Sequence, residues 1–304
     1  MAETPPSRIA PVVLIVLVLI VAGVGAGLLY YFTEVKPTPA IRTVQIGDNV
    51  TVNYIGQFGS GAQIGRVFDT SILSVATNNL TYPKSLGFAW RGSDAAYTPL
   101  GVSVGPGIPS SGYTVDNITF GGVVTGFWQG MLGLPANVTK IVSFPPSLGY
   151  GPAVPACFVT LPMTTQVPTV STVAVANFST AYPNVTLAIG TEFLAAPYNW
   201  TAVILNVNAT AVSVENLPYV GEAVSTGGLP YTVSAISSTT ITLGSTLTPA
   251  DAGLVEGHST GTVCDTSTFV VSAVNPSAGT FTANYNSQVA GATLVFTITV
   301  VQFY

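Results

Sequence analysis

Between residues 200 and 285 one pattern is written three times. "WTAVILNVNATAVSVENL", "YTVSAISSTTITLGSTL" and "TFVVSAVNPSAGTFTANY" each hold an alternating run, a short polar turn and a second alternating run. A period of two places successive side chains on opposite faces of a strand, so each unit reads as a β-hairpin. The likeness among the three is loose. The surrounding stretch, residues 152–285, alternates Thr, Ser and Val with frequent turn residues and is expected to form a separate all-β module, one unit or two.

Upstream the same logic gives further strands. "TVQIGDNVTVNYIG" alternates Val, Ile and Tyr with polar residues, "YTPLGVSVGPG" is a short strand ending in glycines, and "NVTKIVSF" is another strand. "ATLVFTITVVQFY" closes the chain as a buried strand. The segment "GVVTGFWQGMLGL" differs, because Val124, Phe127, Trp128, Met131 and Leu132 fall at helical spacing and predict a short buried helix. The expected fold class is therefore α+β, mostly β.

Residues 9–32, "IAPVVLIVLVLIVAGVGAGLLYYF", carry no charge. About 20 apolar residues cross a bilayer, so the run predicts a transmembrane helix, with Tyr30, Tyr31 and Phe32 at the interface. A cleaved signal peptide is the alternative, although its apolar core is usually only about 7–15 residues. Gly23 and Gly27 form a GxxxG pair that would let a partner helix approach. Residues 33–43 read as a Pro-containing linker.

Only 6% of the 304 residues are charged, against roughly 25% in an ordinary soluble protein. A net charge of −5 with 7 Lys and Arg argues against nucleic acid as a partner. Eight Asn-x-Ser/Thr sequons, at Asn49, Asn79, Asn117, Asn137, Asn177, Asn184, Asn199 and Asn208, favour an exported glycoprotein. With the low charge they point to an archaeal cell surface, hot or acidic. The N-terminus, residues 1–8, would lie inside and the bulk of the chain outside. Cys157 and Cys264 are the two cysteines. In an oxidising exterior an even pair reads as a disulfide; two buried free thiols are the other reading. His258, the one histidine, is expected at the surface.

Four segments in order resemble one family, the FKBP-type peptidyl-prolyl isomerases. "GDNVTVNYIGQFGSGAQIGRVFDTS" is similar to its opening strands, and "TPLGVSVGPG" resembles the strand before its active-site helix. "GGVVTGFWQGMLGLPANVTKIVSFPPSLGYG" is similar to the helix, the next strand and the tyrosine turn. "VAGATLVFTITVV" looks like the last strand. The four segments cover about 100 of the 304 residues, and the resemblance implies an FKBP-like domain made of residues 44–151 and 286–304. What lies between matches in position the insert-in-flap domain of many prokaryotic members, a β module with chaperone activity.

The resemblance implies an aromatic pocket that strips water from an X-Pro bond and holds it twisted, with no cofactor and no metal. The barrier is about 18–20 kcal/mol and arises from amide resonance, which a dry pocket weakens as an advantage of the planar form. Carried over by motif, Tyr54, Phe68, Asp69, Phe127, Tyr150 and Phe296 would form the catalytic pocket, and Leu100, Val123 and Val124 would contact substrate. Phe127 would be the floor under the proline ring, Tyr150 would donate to the substrate carbonyl, and Asp69 would orient groups at the rim. Leu100 stands where the family usually has an aromatic, Gly149 where alanine is common, and residues 107–121 add a loop that would roof or block the pocket. The expected function is a membrane-anchored extracellular isomerase and folding chaperone acting on proline-containing polypeptides. The alternatives are an inactive FKBP-like structural or accessory subunit of a surface layer, filament or membrane complex, and a β module that binds glycans or peptides.

Overall fold

A computed structural model describes Val24 and residues 41–304. The span expected over residues 9–32, with its glycine pair, lies outside the described residues except for Val24; among those described, no helix is long and apolar enough to cross a membrane. The chain is mostly β, arranged in several sheets.

The first sheet has seven strands: β1 (Asn49–Phe58), β2 (Val67–Thr70), β3 (Leu100–Ser103), β4 (Tyr113–Val115), β5 (Ile118–Gly121), β6 (Thr139–Phe144) and the C-terminal β19 (Leu294–Phe303). Its order is β4-β5-β3-β1-β19-β6, with β2 added to β1. Central β1 alternates as its sequence predicts, sending Val50, Val52 and Tyr54 into the core. The last strand inserts between β1 and β6, so the two ends of this sheet's sequence meet at its middle.

Besides a short helix α1 (Leu73–Thr77), the sheet carries α2 (Thr125–Met131), which buries Phe127, Trp128 and Met131 as the helical spacing predicts. Its glycines let it lie close on the sheet. A Cβ on Gly130 would stand 2.7 Å from Val142, and one on Gly126 would run into the Phe144 ring. Gly133, at φ +78, ends the helix in the left-handed conformation that only glycine adopts without cost.

After β6 the chain forms a second body with its own core. Three consecutive strands come first: β7 (Phe158–Pro162), β8 (Thr164–Pro168) and β9 (Val170–Ala174). A helix, α3 (Val175–Ala181), follows, and then nine strands in three groups. They are β10 (Glu192–Ala195), β11 (Trp200–Val207) and β12 (Ala211–Asn216); β13 (Ala223–Thr226), β14 (Leu229–Ile236) and β15 (Thr240–Ser245); β16 (Glu256–Val263), β17 (Thr266–Asn275) and β18 (Thr280–Asn284). Each group takes one of the three early strands to complete a four-stranded antiparallel sheet, in reverse order: β12 pairs with β9, β15 with β8, and β18 with β7.

The loose repeat in the sequence is thus a threefold structural repeat around one core. Each central hairpin has an irregular step at the same place, after Ile204, Val233 and Val271. The carbonyls of these three buried residues accept from Gly190, Gly221 and Gly253 at 2.8, 2.8 and 2.6 Å. All three glycines have positive φ, at +85, +93 and +76. Corner residues recur every six positions: the carbonyls of Cys157, Met163 and Thr169 accept from Tyr285, Ser245 and Asn216, each the residue that ends or follows a hairpin's second strand. Cys157 and Cys264 are joined in a disulfide with a Cα–Cα distance of 5.8 Å.

The chain crosses between the two bodies twice, and the crossings are tied. Gly291 donates to the Gly151 carbonyl at 2.8 Å, and the Asn286 side chain accepts from the Val154 N–H at 2.7 Å while donating to its carbonyl at 3.2 Å. The Gln288 amide does the same with the backbone of Gly87.

Candidate functional site

The site lies on the first sheet, beside α2. Phe296, near the start of β19, is its hub. Its ring meets Phe127 at 5.0 Å and Phe68 at 5.5 Å, both edge-on, stacks on Phe144 at 5.6 Å, and lies 6.1 Å from Tyr54. Edge-to-face pairs at such spacings add to the area they bury. A Cβ on Gly56 would sit 2.7 Å from Phe68 and 2.9 Å from Phe296, so the glycine in "NYIG" makes room for the cluster.

Over this floor opens a cavity of about 430 Å³, a size typical of ligand sites, which run roughly 300–1,000 Å³. All nine residues singled out from the sequence line it: Tyr54, Phe68, Asp69, Leu100, Val123, Val124, Phe127, Tyr150 and Phe296. They come from β1, β2, β3, the entry and first turn of α2, the turn after β6, and β19. The loop over residues 107–121 leaves the cavity open and contributes one wall through Ile108 and Ser110.

Tyr150 reaches the rim by a turn that its sequence explains. Pro145 and Pro146 cannot extend the ladder, and the chain folds into a single 3₁₀ turn over Pro146–Leu148. Gly149 and Gly151 both donate to the Pro146 carbonyl at 2.9 Å, and Gly151 takes φ +80. The tyrosine between them is half exposed, its ring on the cavity edge. Burial of part of the ring, and then the Asp69 carboxylate, push its phenol pKa up. It is therefore a protonated hydrogen-bond donor at neutral pH.

At one side of the cavity is a polar triad. The Tyr54 hydroxyl donates to Asp69 Oδ2 and accepts from Arg91 Nη2 at 2.7 Å, and Arg91 pairs with Asp69 Oδ1 at 3.1 Å. Burial above all, and then Asp69, drive the Tyr54 phenol far above its ordinary pKa, against the opposing pull of Arg91. Arg91 also lies over the Tyr97 ring, 5.5 Å from its centre. The sequence reading missed Arg91, which sits in a segment with no strand or helix pattern. One signal for it was available: an aspartate expected in an apolar pocket needs a cation, and the chain has only 7 Lys and Arg.

Of the other expected sites, Asn79, Asn117, Asn137, Asn177, Asn184, Asn199 and Asn208 are exposed. Asn49 is only partly exposed; its carbonyl accepts from Ser103 at 2.7 Å and its amide meets the Tyr113 hydroxyl. Asn117, Asn137 and Asn199 sit at turns with φ of +62, +62 and +61. His258 is exposed, 3.7 Å from Glu256.

No known protein-family model matches the chain, and no curated protein matches its sequence.

Proposed function

We propose that the protein is an FKBP-like prolyl isomerase with a β-module inserted in its flap, anchored by residues 9–32 and working on exported, proline-containing polypeptides outside the cell. The observation that carries the reading is the gathering of nine motif-assigned side chains around one open, mainly apolar cavity. In this reading the proline ring enters over Phe127 and Phe296, and the walls take water from the amide. Water stabilises the planar, polar form more than the twisted one, so its removal lowers the barrier. Tyr150 donates to the substrate carbonyl. The triad of Tyr54, Asp69 and Arg91 holds its own charges in place, and rotation about the amide bond requires no proton transfer.

The exposed sequons and the low charge support an extracellular setting. The threefold module supports a chaperone role only by its place in the flap.

Exchange NMR on an X-Pro peptide tests the activity. The expected result is catalysed exchange that falls about tenfold, ~1.4 kcal/mol of barrier, in Tyr150→Phe, and further in Phe127→Ala. No enhancement over the uncatalysed rate by the intact protein would overturn the reading and leave the non-catalytic subunit in its place.

A further inference from the structure

A second recess, a cleft of about 440 Å³, opens on the other face of the first sheet. Strand alternation puts it there. Val50 and Val52 point into the core beside α2, so Thr51 between them points away from it. Thr51 pairs with Gln302 on one side and Gly101 on the other, and all three line the cleft. The β4–β5 hairpin closes it with Asn117, Ile118 and Thr119. A Cβ on Gly101 would stand 2.3 Å from the Thr119 carbonyl, so glycine is what lets the hairpin lie against β3. The Phe120 ring fixes the hairpin by packing on Tyr304 at 4.9 Å.

The polar groups of this cleft are unspent. Thr51 is only 4% exposed, yet its hydroxyl has no hydrogen-bond partner among the described residues. Buried hydroxyls ordinarily find one. Among the described residues only the Ser85 hydroxyl is both sealed and unpartnered, so that of Thr51 opens to the cleft. The side chains of Thr98, Asn117 and Gln302 likewise have no partner among the described residues. Arg91 lines the cleft too, and its bonds to Tyr54 and Asp69 both leave from Nη2. A guanidinium has five N–H donors, so those on Nε and Nη1 remain.

These groups define a ligand class. Arg91 is the one charged residue in the lining, and Asp69 neutralises it from behind. An anion would therefore meet a half-spent cation. Threonine hydroxyls and Asn and Gln amides both donate and accept, which suits ligand hydroxyls, themselves donors and acceptors. Between them lie apolar surfaces from Pro99, Leu100, Ile118, Val301 and the Tyr304 ring. A pyranose has this make-up, hydroxyls at its edge and C–H groups on its faces, and the volume is that of a ligand site. We infer that the cleft is a saccharide site for a neutral sugar, separate from the aromatic cavity and independent of what that cavity does. Two sources offer the same chemistry. Asn117-Ile118-Thr119 is itself a sequon on the cleft wall, its asparagine exposed at a turn, so the first sugar of its own glycan would start at the cleft. The other source is the glycan of a second glycoprotein.

The test uses the whole chain, made in a bacterial host that adds no N-glycans and held in a detergent without a sugar headgroup. Saturation-transfer NMR reads binding of methyl glucoside, methyl mannoside, N-acetylglucosamine and glucuronate. The expected result is transfer to the C–H groups of at least one neutral sugar, with glucuronate weaker. Affinity should fall about tenfold in Thr51→Val and in Gln302→Ala, each of which removes one hydrogen-bonding group. Gln302 is exposed, so its variant leaves the core untouched. A second preparation, from a host that glycosylates sequons, separates the sources. Mass spectrometry that finds sugar on Asn117, with free sugar excluded until Asn117→Gln restores it, supports the site with the chain's own glycan as occupant. Free sugar that binds this preparation as well supports the site with another molecule's glycan. No transfer to any neutral sugar, or transfer unmoved in Gln302→Ala, would overturn the inference. Glucuronate binding tightest would overturn it in favour of an anion site on Arg91.

Discussion

The disulfide offers a perturbation whose size follows from one structural fact. Cys157 and Cys264 are 107 residues apart in sequence. In the chain-entropy model a cross-link of that span removes about 16 cal/mol/K from the unfolded ensemble, or about 4.8 kcal/mol at 25 °C. The native corner does not depend on the bond, because the Cys157 carbonyl is held by Tyr285 and its N–H by Val154. The loss on breaking the bond should therefore fall almost wholly on the unfolded side. The variant to use is Cys157→Ala with Cys264→Ser, since Cys157 is buried and a serine there would bury a hydroxyl, while Cys264 is exposed. Urea unfolding should show about 4–5 kcal/mol lost, together with a steeper dependence on urea as the uncrossed unfolded chain exposes more surface. A loss below about 1 kcal/mol with unchanged slope would refute the reasoning, and would mean that the unfolded chain is compact without the bond.

Two further outcomes follow from the cavity. Phe296→Ala removes the ring shared by four aromatic neighbours and should cost about 3–5 kcal/mol in urea unfolding, whereas Phe296→Leu should keep most of the stability and lose catalysis more than fold. Tyr54 stays protonated in the folded chain after the unfolded chain has begun to ionise, near pH 10. Above that pH the unfolded state holds fewer protons, so stability falls as pH rises; Tyr54→Phe should flatten this alkaline fall by up to about 1.4 kcal/mol per pH unit, and leave the slope across the neutral range unchanged. An equal slope in both proteins by alkaline urea titration would contradict the buried phenol.

Strands with one buried face were legible in the sequence, because burial imposes alternation. β1 and the hairpins β11–β12, β14–β15 and β17–β18 lie where the alternating runs predict them. β7, β8 and β9 were not distinguished, since they present mostly Thr, Pro and Val with no residue fully buried. Their partners lie far along the chain and in reverse order, which no local pattern records. The helix α3 was also missed; "VANFSTA" buries a single side chain, Phe178. The cavity was legible through motifs that place Tyr54, Phe127 and Tyr150 in order. Arg91 was not, because it acts from a loop whose position is set by packing against distant residues.

The reverse-order pairing of β7, β8 and β9 has a consequence for how the chain assembles. Its long-range pairs are concentric, like nested brackets: β9 with β12 innermost, then β8 with β15, then β7 with β18, and outside them β6 with β19. Closing a loop costs more entropy the longer it is, and each inner bracket shortens the loop that the next must close. A chain that appears N-terminus first therefore completes its inserted module from the inside outwards. The strand that floors the cavity is the last to leave the ribosome, and each bracket closed before it shortens the loop its own pairing must close.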